Sequence, residues 1–145
     1  MNARNAILTT YSTIVGIAYL VYGIGEILYS IGLNSLDIFI LPFWADPVAG
    51  FSLIVVSMIF FTAAKHLSSD HKKAYMYIFV GILLASLLAL THVSVMIANW
   101  AECCLLFNED YTEWTWFSDL NPAIPLFALT LPLIQPLREI KWKKI

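Results

Sequence analysis

The chain has 145 residues, 60% of them apolar, a formal charge of −2 and a mean hydropathy of +0.77. Four apolar runs use up most of that length, which excludes a separate soluble domain. All eight Lys and Arg fall on one side of those runs and the other side carries only acids, so nucleic acid is not an expected partner and anionic lipid headgroups suit the basic residues better.

The first run, Leu8 to Leu33, exceeds the roughly 20 residues that cross about 30 Å of hydrocarbon. Arg4 before it, and Ser30 with Gly32 near its end, imitate a secretory signal, but the apolar region of a signal covers only about 7 to 15 residues. An uncleaved first helix is therefore expected, and no N-terminal Met-Gly or C-terminal Cys motif points to a lipid anchor. Gly16 and Gly23, and again Gly25 and Gly32, recur at heptad spacing, a pattern that lets membrane helices approach closely within the bundle or across a homo-oligomer contact. Tyr19, Tyr22, Glu26 and Tyr29 stand at i, i+3, i+7 and i+10, which puts three phenols and a carboxyl along one helix face. Glu26 is the only acid placed well inside a run, where a charge costs about 2.5 to 3.5 kcal/mol. Two roles compete for it: proton, cation or solute handling, and a neutral carboxyl that fixes helix register through hydrogen bonds.

A short acidic and aromatic segment follows, with Asp37, Phe39, Phe43, Trp44 and Asp46, and then the second run, Pro47 to His66. Asp46-Pro47 is a helix-start signal, because an Asp side chain accepts orphan amides and Pro has no amide to waste at the first position. Gly50 and Ser57 repeat the heptad of small residues. His66 and His71, among Lys65, Asp70, Lys72 and Lys73, read as a solvated turn.

The third run, Ala74 to Trp100, contains His92 and, one heptad further out, Asn99. His92 lies eight residues before Trp100 and Glu26 seven before Leu33, so both sit roughly 10 to 12 Å below the outer helix ends. Equal depth makes His92 the expected partner of Glu26, with Thr91 and Ser94 offering hydroxyls nearby. His66 and His71 lie at the inner boundary, whereas His92 is roughly 27 Å along the helix beyond Ala74, which argues against haem ligation. Cys103 and Cys104 are adjacent, poor geometry for a mutual disulfide, and read as lipid-facing thiols or an intermolecular link.

The second outer segment holds only acids, Glu102, Glu109, Asp110, Glu113 and Asp119, together with Phe107, Trp114, Trp116 and Phe117. Asn121-Pro122 then opens the fourth run, Leu120 to Leu137, whose Pro125 and Pro132, a heptad apart, read either as a passive kink or as the opening of a kinked, polar seam facing Glu26. The shared plan of the two halves reads either as convergent interfacial chemistry or as a two-helix duplication.

The expected fold is all-α: a polytopic four-helix transmembrane bundle with N and C termini cytoplasmic by the positive-inside rule and an aromatic interfacial outer cap. The expected address is the cell membrane, multi-pass, with the bilayer and either further copies or other membrane subunits as partners. No residue pattern names a reaction, and no cofactor or metal is expected. The expected function is a transport or channel-like component centred on Glu26 and His92, with Tyr19, Tyr22, Tyr29 and Asn99 around them. The alternatives are a noncatalytic subunit of a larger membrane complex and, third, an embedded enzyme.

Overall fold

A computed structural model of the chain describes residues 3–33, 45–106 and 114–138. Every regular element in it is helical: α1 (Ala3–Ser30), α2 (Pro47–His66), α3 (His71–Cys104), a 3-10 turn at Trp116–Asp119, α4 (Ala123–Thr130), a second 3-10 turn at Leu131–Leu133, and α5 (Ile134–Arg138). Phe39, Phe43, Trp44 and Phe107, with Asp37, Glu109, Asp110 and Glu113, lie outside the described residues, so only part of the expected aromatic cap is in view.

The helix ends follow from local chemistry. Beyond Ser30, Gly32 takes φ +86°, and the amides of Gly32 and Leu33 return to the carbonyls of Tyr29 and Leu28, a Schellman closure that glycine adopts without steric cost. Asp46 caps α2 by accepting the amides of Val48 and Ala49 at 2.9 and 3.0 Å. Asp70 caps α3 in the same way through the Lys73 amide, which holds the Asp70 carboxyl below its ordinary pKa. The solvated turn between the basic ends is tighter than expected: His71 already begins α3 and meets Asn5 of α1 at 3.2 Å, while His66 closes α2 and stacks on Tyr77.

Three helices, of 27, 20 and 34 residues by their apolar extent, are long enough to cross a bilayer, and α3 at about 50 Å exceeds the hydrocarbon on its own. The fourth run differs from a full span. Its apolar helical part is Ala123–Leu137, interrupted where Leu131–Leu133 tightens into 3-10 geometry. The cause is Pro132, which has no amide to return to the helix. Pro125, by contrast, falls in the first turn of α4, where amides have no intrahelical partner anyway. The carbonyl of Leu129, three residues before Pro132, instead accepts the hydroxyl of Tyr11 at 2.8 Å.

Helices alternate in direction. At one end Asn5 meets His71, and Arg4 and Tyr11 line a cavity with Gln135 and Pro136; Lys65, Lys72 and Lys73 belong to this basic end. At the other end lie the N-terminus of α2 and the Trp116–Asp119 turn. Small residues join α1 to α2: a side chain on Gly23 would reach within 2.8 Å of the Gly50 carbonyl, and one on Gly50 within 2.8 Å of the Gly23 carbonyl. One heptad further toward the basic end, Ser57 donates to the Gly16 carbonyl at 2.8 Å. The Gly16–Gly23 heptad of α1 is thus used inside the chain, against Gly50 and Ser57 of α2. Phe60, fully buried, packs between Tyr19 and Gly81. The contribution of α3 is a stripe of small and branched residues, Ala74, Ile78, Gly81, Ala85 and Ala89, all buried.

Candidate functional site

Glu26 occupies the last third of α1 and is completely buried, at 0% exposure. Its neighbours come from the start of α2, because the Gly23–Gly50 approach brings those helices nearly into backbone contact just beside it. The Glu26 Cβ lies 3.0 Å from where a side chain on Gly50 would begin. Glu26 Oε2 accepts the backbone amide of Asp46 in a long hydrogen bond of 3.4 Å. That amide follows Ala45, whose φ of +56° is in the left-handed region where an L side chain costs about 1 to 2 kcal/mol. Strain of this kind persists where surrounding contacts hold it. Here the strained turn delivers two groups of Asp46 at once, its carboxylate to the α2 amides and its own amide to Glu26.

His92 is half-buried on α3, and its described interaction is electrostatic, with Asp46. Asp46 is therefore the residue common to both expected site members. The sequence shows it as a helix cap in the outer acidic segment, and its position at the start of α2 puts it at the same end as Glu26 and His92. Among the described residues no three His, Cys, Asp or Glu side chains form a metal-holding group, so Glu26, Asp46 and His92 are not a ready-made cation cage.

The tyrosine stripe divides. Tyr19 is 1% exposed and packs on Phe60 with ring centres 5.9 Å apart, and its hydroxyl, like that of Ser12, has no hydrogen-bond partner among the described residues. It is not bonded to Glu26 and belongs to the apolar core. Tyr22 and Tyr29 flank Glu26 on the same face and are half-buried. Asn99 joins a different group: its amide donates to Asp119 Oδ2 at 2.6 Å, and Trp114 Nε1 donates to the same oxygen at 2.6 Å. This clasp ties the outer part of α3 to the second loop. Thr91 and Ser94 spend their hydroxyls on their own helix, at Leu87 and Leu90.

The proline seam is not where the sequence led us to expect it. The break at Pro132 lies beside Leu8 and Tyr11, and Tyr11 is 15 residues, about 22 Å, along α1 from Glu26. Pairing follows from direction: α4 runs back toward the basic end, so its later residues meet the first turns of α1 and not the Glu26 level. Cys103 and Cys104 are free thiols at the outer end of α3, with Cys104 exposed.

Three long apolar helices packed through small residues define a multi-pass integral membrane protein. A family model matches residues 1–141, and the chain belongs to that family, the MJ0565 integral membrane domain. No curated protein and no solved structure matches it.

Proposed function

We propose that the chain is a transport or channel-like membrane component in which Glu26, with Asp46 and His92, forms an intramembrane proton- or ion-exchanging site. The observation that carries this reading is the complete burial of Glu26 within a span beside the strained Ala45-Asp46 cap. An ionisable group at membrane depth is costly and marks a pathway by default. The start of α2 adds a second feature suited to charge, since the positive end of its helix dipole favours a carboxylate nearby. Three groups that can bind or release protons, on three helices, then lie toward one end of the bundle.

The test compares wild type with Glu26→Gln in liposomes. Glutamine keeps size and hydrogen-bonding capacity but cannot ionise. Proton or cation flux is expected to disappear while the thermal melt in detergent is kept within a few degrees. Unchanged flux in the folded variant would remove the ion-exchange role.

A noncatalytic subunit is the second reading, and α3 favours it. Only 22% of the most apolar stretch of α3 is buried, against 44% for α2, leaving a broad apolar face for lipid, another copy or a different membrane subunit. Cross-linking from Leu83→Cys or Leu90→Cys on that face, in a background lacking Cys103 and Cys104, separates these cases: a specific adduct supports the subunit reading, and lipid-only labelling counts against it.

A further inference from the structure

We infer that the basic end of the bundle holds an anionic phospholipid in the cavity between the first turns of α1 and the Pro132 break. The cavity measures about 520 Å³, within the roughly 300 to 1,000 Å³ common for ligand sites. Leu8 and Leu133 are buried in its wall, and Ile7 and Pro132 extend the apolar lining to the surface. Arg4 and Gln135, both exposed, bring polar groups to the same cavity.

This combination suits an amphiphile. Guanidinium offers a planar set of donors matched to phosphate oxygens, and the Gln135 amide adds another donor. Pro132 and Pro136 also line the space but carry no amide, so recognition of a headgroup falls to these two side chains. Tyr11 is held in the wall by the bond its hydroxyl donates to the Leu129 carbonyl. Charge selects the headgroup. Lys65 and Lys72 stand at the same end, with Lys73 paired to Asp70 at 3.5 Å, and the sequence past Arg138 adds Lys141, Lys143 and Lys144 against one acid, Glu139, while no described residue lining the cavity is acidic. Juxtamembrane basic clusters of this kind attract anionic lipids, and basic pockets between membrane helices hold their headgroups. A free phosphate ion would leave the apolar wall unused, and a zwitterionic lipid would gain little from the field.

The experiment uses the full-length chain, stripped of lipid in mild detergent and incubated with phosphatidylglycerol or phosphatidylcholine, with bound lipid counted by native mass spectrometry. Retention of phosphatidylglycerol is expected to exceed that of phosphatidylcholine by about fivefold, and Arg4→Gln to remove most of that preference. Ile7→Trp, which places an indole in the cavity at constant charge, is expected to lower binding in protein whose helical content is unchanged. Lys72→Gln, at the same end but outside the cavity, removes one charge of the wider field and is expected to lower the preference far less than Arg4→Gln. Equal retention of the two lipids by the wild type would overturn the inference without any variant. So would full binding by folded Ile7→Trp, an equal loss with Lys72→Gln, or displacement of the lipid by excess inorganic phosphate. If Ile7→Trp instead dissociates a dimer and leaves lipid counts alone, the cavity is a contact between copies and the lipid site is wrong.

Discussion

Gly23, Gly50 and Gly32 are alike in composition and opposite in what they do. At Gly23 and Gly50 the obstacle to a side chain is backbone, the facing carbonyl at 2.8 Å, which cannot swing aside as a rotamer can. Alanine there must push α1 and α2 apart, moving the Asp46 amide away from Glu26. At Gly32 nothing lies within 4 Å, and the only penalty is the left-handed backbone. Gly50→Ala is therefore expected to cost about 1 to 3 kcal/mol, the range for overpacking, and to alter the Glu26 site. Gly32→Ala is expected to cost about 1 kcal/mol, with the site untouched. Thermal melts of the two variants, alongside accessibility of a probe at position 92, check the contrast. Equal melts for both would mean that the helices are not held at backbone contact.

The fourth element shows how one missing amide propagates. In the 3-10 turn, the amides of Leu131 and Ile134 return to Ala128 and Leu131, three residues back. Pro132 has no amide for Leu129, and Tyr11 from another helix fills the gap at 2.8 Å. Interhelical hydrogen bonds in membranes average about 0.6 kcal/mol, with a maximum near 1.7. Tyr11→Phe is expected to cost an amount in that range. Pro132→Ala restores a local donor for Leu129, so Tyr11→Phe should cost almost nothing in that background. A double-mutant cycle on thermal stability measures the coupling; additive losses would show that the Tyr11 hydroxyl does not serve the proline break. The buried face of this element survives the interruption, since Ala123, Leu126, Thr130, Leu133 and Leu137 all point inward. Packing is conserved along the element while its hydrogen bonding is not.

Across the molecule, the alternation of helices gathers the described basic residues at one end, with Asp46, Asp119 and Glu102 at the other. The positive-inside rule assigns the basic end to the cytoplasm. With Cys103 and Cys104 removed, Lys72→Cys is expected to resist an impermeant thiol reagent in sealed cells and Glu109→Cys to react. Labelling of position 72 from outside would invert the topology. The same end-to-end asymmetry separates the two sites proposed above: the acidic site lies toward the outer end of α1 and the lipid cavity at its first turns. A fault in one leaves the other testable.

Much of this was legible because it depends on short stretches of chain. Span lengths, the Asp46-Pro47 start and the charge sidedness follow from local hydropathy and capping, which need no knowledge of neighbours in space. The sequence also identified Glu26 as the residue most in need of an explanation, because an acid in an apolar run is costly wherever the run packs. It did not show that Asp46 would meet Glu26, that Asn99 would belong to Asp119, or that the Pro132 break would face Tyr11. Each of those depends on interhelical register, which is set by contacts between residues far apart in the chain, foremost the Gly23–Gly50 approach. Tertiary packing alone could choose among registers that the sequence pattern leaves equally apolar.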